Sequence, residues 1–157
     1  MDGRGEGWKT TKDCYKSIKI LFLFLIPLIS SGLTLDQFID VLEQVESNGN
    51  IRAVGDSNKA YGILQIHSIM VQDYNRITKS NLIHSDCFNR ETSREIAKTI
   101  LINYTKNLKA VNAKHLAFIW NAGGSGWRYA EDPNYGSPKV RANLKKYWNK
   151  VLTEINK

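Results

Sequence analysis

The chain has little cysteine, little proline and no apolar run long enough to cross a membrane as a helix. Two of its 157 residues are cysteine and three are proline, which excludes a disulfide-stapled scaffold and a proline-rich spacer. The three histidines, His67, His84 and His115, lack metal-ligand spacing, so no metal is expected, and neither a phosphate loop nor a nucleophile with a paired histidine is found. The charge-free apolar run at residues 20–29 contains Pro27 and is about half the ~20 residues that span a bilayer core. What is there, 42% hydrophobic and 24% charged residues, suits one globular domain rather than a disordered chain.

Arg4, Lys9, Lys12, Lys16 and Lys19 precede the apolar run, and Ser30-Ser31-Gly32 follow it. A basic stretch, a short apolar stretch and a small-residue exit are the order of a secretory signal. Residues 1–32 are therefore expected to be a signal peptide cut near Gly32, or else an uncleaved N-terminal anchor and the chain's only membrane contact. Residues 33–157 are the expected working domain, exported to the periplasm, the cell envelope or beyond. Cys14 falls in the first segment, so Cys87 is expected alone in the domain as a buried small hydrophobe. The whole chain carries +7; five basic and three acidic residues lie in 1–32, leaving +5 for the domain. That balance suits polyanions, yet an exported chain has no access to cytoplasmic nucleic acid. Arg141, Lys145, Lys146 and Lys150 form the one helical basic cluster, so nucleic acid is not an expected partner.

From Thr34 onward the pattern is helical. Thr34 and Gln37 have capping-box spacing, and Leu35, Phe38, Ile39, Leu42 and Val45 recur every three or four residues, predicting a helix from 35 to 46 or 47. Ser47-Asn48-Gly49-Asn50 supplies its stop. A turn cluster at Gly55-Asp56-Ser57-Asn58 and a short apolar stretch at residues 60–66 predict a small hairpin or extended loop. Further helices are expected at 68–75 and 93–108, and the apolar segment at 115–120 must end at the glycines of 123–126. Ser137-Pro138 opens a last amphipathic helix carrying Val140, Leu144, Tyr147, Trp148, Val151 and Ile155. No repeat and no linker separates a second domain.

Glu46 lies four residues beyond Leu42 and seven beyond Ile39, so the first helix puts it on the apolar stripe rather than the solvated side, unless the last turn frays and turns it into water. Partial desolvation and the negative end of the helix dipole both disfavour its charged form and raise its pKa. A glutamic acid kept protonated near neutral pH is what general acid catalysis needs. Ser47 follows it directly, with a hydroxyl that could bond the carboxyl group. Tyr61-Gly62-Ile63-Leu64-Gln65 and Trp120-Asn121-Ala122-Gly123-Gly124 come later in the chain.

With these three motifs in order, the sequence resembles the lytic transglycosylases of the soluble type, including small members that accompany secretion systems, conjugative plasmids and phages. The likeness covers roughly residues 35–150. It implies an α+β fold, predominantly α-helical and lysozyme-like, with a small β element beside a substrate groove. It also implies cleavage of peptidoglycan between N-acetylmuramic acid and N-acetylglucosamine by a monomer without cofactor, leaving 1,6-anhydro ends. Glu46 would be the single acid/base and Ser47 its orienting neighbour; Gln65 and Tyr61 would meet the sugar chain. Trp120, Asn121 and the Ala122-Gly123 backbone would bind it further along, Asn121 and that backbone at its amide groups, with Tyr135 approximating a late tyrosine of the family.

The family's Gly-Ala-x-Gly is here Lys59-Ala60-Tyr61-Gly62, and His67-Ser68 stands where members often have proline. Asp56 is either a turn residue or the second carboxylate of a hydrolytic lysozyme. Trp127 and Tyr129 are either groove residues or packing. A wall-binding module without catalysis is the remaining alternative.

Overall fold

The computed structural model describes residues 32–157; the expected export segment lies outside the described residues except for Gly32. Thr34 caps helix α1 (Leu35–Ser47) through the full capping box with Gln37, and Asn48 ends it in the left-handed conformation at φ 54°. Three two-residue strands follow, β1 (Val54–Gly55), β2 (Ala60–Tyr61) and β3 (Ile66–His67), in an antiparallel sheet of order β1-β2-β3. Gly55 pairs with Ala60, and Ala60 with His67. The β1–β2 connection runs through Asp56, Ser57 and Asn58, all at positive φ, a conformation that Asn and Asp tolerate better than most side chains.

Gly62 is required beyond the sheet. Its φ is +74°, and a Cβ there would come 1.8 Å from the Cys87 carbonyl oxygen. That oxygen belongs to a 3-10 turn (His84–Phe88) sitting between helices α2 (Ser68–Thr78) and α3 (Arg90–Thr105). The α3 helix starts three residues before the expected 93 because Asn89 accepts a hydrogen bond from the Thr92 amide and so caps it earlier. It also stops three residues before the expected 108.

Asn112 caps α4 (Ala113–Ala122), which ends at Gly123 with φ +79°, as the glycines require. A short helix, α5 (Gly126–Glu131), then forms where glycine argues against one. Its cause is contact: a Cβ on Gly126 would lie 2.0 Å from the Phe118 carbonyl oxygen, so only glycine lets α5 begin against α4. Ser137 and Pro138 open α6 (Pro138–Ile155) as expected.

The core gathers Phe38, Ile39 and Leu42 of α1 with Leu64, Ile66, Ile96, Ile100, Leu101, Leu116, Ile119 and Leu144, all fully buried. Each such side chain contributes ~1.5–3 kcal/mol of burial. α1 packs between α3 and α6, and α4 against α5 and α6, which brings the end of α1, the sheet and the end of α4 together. Cys87 is buried and free, with its thiol pushed up to about 12 by burial. Among the described residues no helix is long and apolar enough to cross a membrane. The fold is thus the predominantly helical, lysozyme-like arrangement with a small β element.

Candidate active site

Glu46 stands in the last turn of α1, half-buried. Loss of solvent is the main influence on its carboxyl group and raises its pKa above the ordinary glutamate value. Three groups oppose that rise without cancelling it. The Tyr147 hydroxyl, on α6, donates to Glu46 Oε1 at 2.6 Å; the indole of Trp120 on α4 and the charge of Lys150 also favour the carboxylate. Burial favours the protonated form, while the Tyr147 hydroxyl fixes where the carboxyl group points.

The carboxyl group opens onto a groove of about 260 Å³ between the sheet and α4. Asp56, Ala60, Gln65 and His67 form its sheet side; Trp120 and Asn121 form its α4 side, with Met70 of α2 beside them. Gln65 holds its place in two ways: its Nε2 donates to the Gly62 carbonyl at 3.0 Å, and its side-chain oxygen occupies the space a Cβ on Gly55 would need. A second hollow of about 360 Å³ adjoins, lined by Ala122, Ser125, Tyr129, Val140, Asn143 and Leu144, with Asn121 as the residue common to both. A strand of linked rings could therefore run past Glu46 and onward over Asn121.

A family model described as the transglycosylase SLT domain matches residues 34–143. The chain belongs to that family. It is therefore an enzyme of the lytic-transglycosylase type, acting on peptidoglycan. No curated protein and no solved structure gives a significant match.

In this SLT domain, Glu46, Gln65, Trp120 and Asn121 come together on one groove, and Ala122 lies in the adjoining hollow. Gly123 is an exposed turn residue with open space around it. Three others sit elsewhere. The Ser47 hydroxyl donates to the Ile63 carbonyl at 2.7 Å; it is spent on tying the end of α1 to the segment before Gln65, not on the Glu46 carboxyl group. Tyr61 follows Ala60 on β2, so it takes the opposite face of the sheet, where its ring stacks on His84 at 4.0 Å and on Phe88 at 5.0 Å. Tyr135 meets Tyr129 edge to face at 4.8 Å and so braces a residue of the second hollow. Trp127 is half-buried with Arg128 over its ring. Asp56 lies in a left-handed turn and also lines the groove.

Tyr147 is the residue that sequence reasoning assigned only to packing. Its signal was present: a tyrosine on an apolar stripe buries a hydroxyl that must find a partner. The family match ends before it, at residue 143. His67, which stands where members often have proline and lacks metal spacing, is likewise outside the expected site residues yet lines the groove.

Proposed function

We propose that this SLT domain cleaves the β-1,4 bond between N-acetylmuramic acid and N-acetylglucosamine, with Glu46 as the one acid/base. The observation that carries the proposal is the Glu46 carboxyl group, whose pKa burial raises and which opens onto a groove of about 260 Å³. Glu46 gives its proton to the leaving O4 as the C1–O4 bond breaks, with the acetamido group of the muramic ring assisting. The resulting carboxylate then takes the proton of the same ring's 6-hydroxyl as that oxygen closes on C1. The product is a 1,6-anhydro end, and Glu46 is returned protonated. A single residue serves both steps, unlike the paired carboxylates of ordinary glycosidases.

A hydrolytic outcome is the second reading, favoured by Asp56 lining the same groove. Product analysis separates the two. Glu46→Gln is expected to abolish release of fragments from purified peptidoglycan while the circular dichroism spectrum stays native. Mass spectrometry of wild-type products is expected to find anhydro ends; reducing ends alone would replace the transglycosylase reading with the lysozyme one. The substrate lies outside the cytoplasm, so the signal-like order of residues 1–32 supports work in the periplasm or envelope, where a secretion, conjugation or phage assembly could employ it.

A further inference from the structure

The wall of the groove opposite Glu46 carries a polar pair that the reaction above does not use. Asp56 Oδ2 lies 3.5 Å from His67 Nε2, and both residues line the groove. The sheet creates this pair. Gly55, Ala60 and His67 form one row across the three strands, and the left-handed turn after Gly55 places Asp56 at the edge of that row. Ala60, between them, is buried and small, so nothing blocks the carboxylate from the ring.

His67 also stands at the N-cap of α2, yet its side chain makes no capping hydrogen bond there. The position ordinarily goes to Ser, Thr, Asp or Asn for that bond. Here the ring is turned to Asp56 and the groove instead, with side-chain exposures of 42% for His67 and 61% for Asp56. Both are open to a ligand entering the groove.

We propose that Asp56 and His67 form a clamp for a sugar hydroxyl and the acetamido N–H beside it, holding a neutral N-acetylated pyranose on the sheet side of the groove while Glu46 acts from the other. The proposal rests on reading the groove as a glycan cleft. In a β-1,4-linked chain the 3-hydroxyl and the acetamido N–H beside it match the pair: the carboxylate accepts from the N–H, and the imidazole bonds the hydroxyl. The carboxylate also orients the ring, so Asp56 acts both directly and as a positioning residue. Losing a hydrogen bond to a charged group weakens binding about ten-fold or more.

The test uses the full chain carrying Glu46→Gln, so that bound glycan is not cut, titrated calorimetrically with tetra-N-acetylchitotetraose. Adding Asp56→Asn or His67→Ala is expected to weaken binding about ten-fold, with unchanged urea midpoints and partial recovery in His67→Gln. In the chain with Glu46 intact, the same changes should raise KM for soluble glycan strands far more than they lower kcat. Equal affinity with and without the pair would overturn the clamp alone, as would a loss confined to kcat. Absence of any binding by the Glu46→Gln chain itself would overturn both the clamp and the reading of the groove.

Discussion

Two glutamates stand on the apolar stripe of α1, and they differ in what surrounds them. Glu43, four residues beyond Ile39, is 2% exposed, yet Arg90 and Arg94 meet it with four charge-assisted hydrogen bonds, so it is an ion-paired structural residue. Glu46, one turn on, accepts its one side-chain hydrogen bond among the described residues from the neutral hydroxyl of Tyr147. Burial without an ion-pair partner separates the proposed acid from the strut. Stripe position alone points to both; the partners that tell them apart lie 47 and 51 residues away for Glu43 and 101 for Glu46, a distance periodicity does not reach. Tyr147→Phe should expose this balance. The hydroxyl favours the charged carboxylate, so its removal raises the Glu46 pKa further. A general acid is lost as pH rises through its pKa, so the alkaline limb of the pH–activity profile should move upward. An unmoved limb would show that Glu46 is not the group titrating there.

At the scale of elements, α1 and α3 are joined by an ion-pair ladder. Arg94 reaches Asp36 at 3.3 Å, Asp40 at 2.6 Å and Glu43 at 2.9 Å, Arg90 reaches Glu43 at 2.7 Å, and Lys98 reaches Asp36 at 2.5 Å. The outer pairs are exposed and contribute little. Glu43 is different, because its removal leaves Arg94, 18% exposed, without its innermost partner. Glu43→Ala should destabilise the fold by ~3 kcal/mol in urea unfolding, whereas Asp36→Ala should cost under ~1 kcal/mol. Equal costs would mean that the ladder acts as surface charge only. The helices themselves were legible wherever a cap and a stripe agree: Thr34 with Gln37 for α1, and Ser137-Pro138 for α6. They were not legible where contact overrides propensity. Gly126 opens α5 because only a glycine fits against the Phe118 carbonyl oxygen, and no glycine-rich segment announces that neighbour in advance. The Asp56–His67 pair depends in the same way on strand register, which two-residue strands do not encode by alternation.

For the whole molecule, the positive balance is not evenly distributed. Acidic residues on α1 neutralise Arg90, Arg94 and Lys98 of α3. On α6, Lys139, Lys145, Lys146 and Lys150 are all exposed, and none lies within 4.0 Å of a carboxylate among the described residues. The helix that supplies Tyr147 to Glu46 therefore also presents a free cationic face, so an anionic wall drawn to α6 is drawn to the side that borders the candidate groove. Long-range attraction of this kind is screened once the Debye length falls from about 10 Å at 0.1 M salt to about 3 Å at 1 M. Hydrogen bonding to a neutral sugar is much less affected. Raising salt from 50 to 500 mM should weaken binding of the Glu46→Gln chain to purified sacculi several-fold and leave its affinity for neutral chitotetraose within two-fold. Lys145→Glu with Lys146→Glu should reproduce the first effect at low salt without the second. If sacculus binding ignores both salt and these reversals, the charge of α6 serves solubility, and attachment to the wall rests on the groove alone.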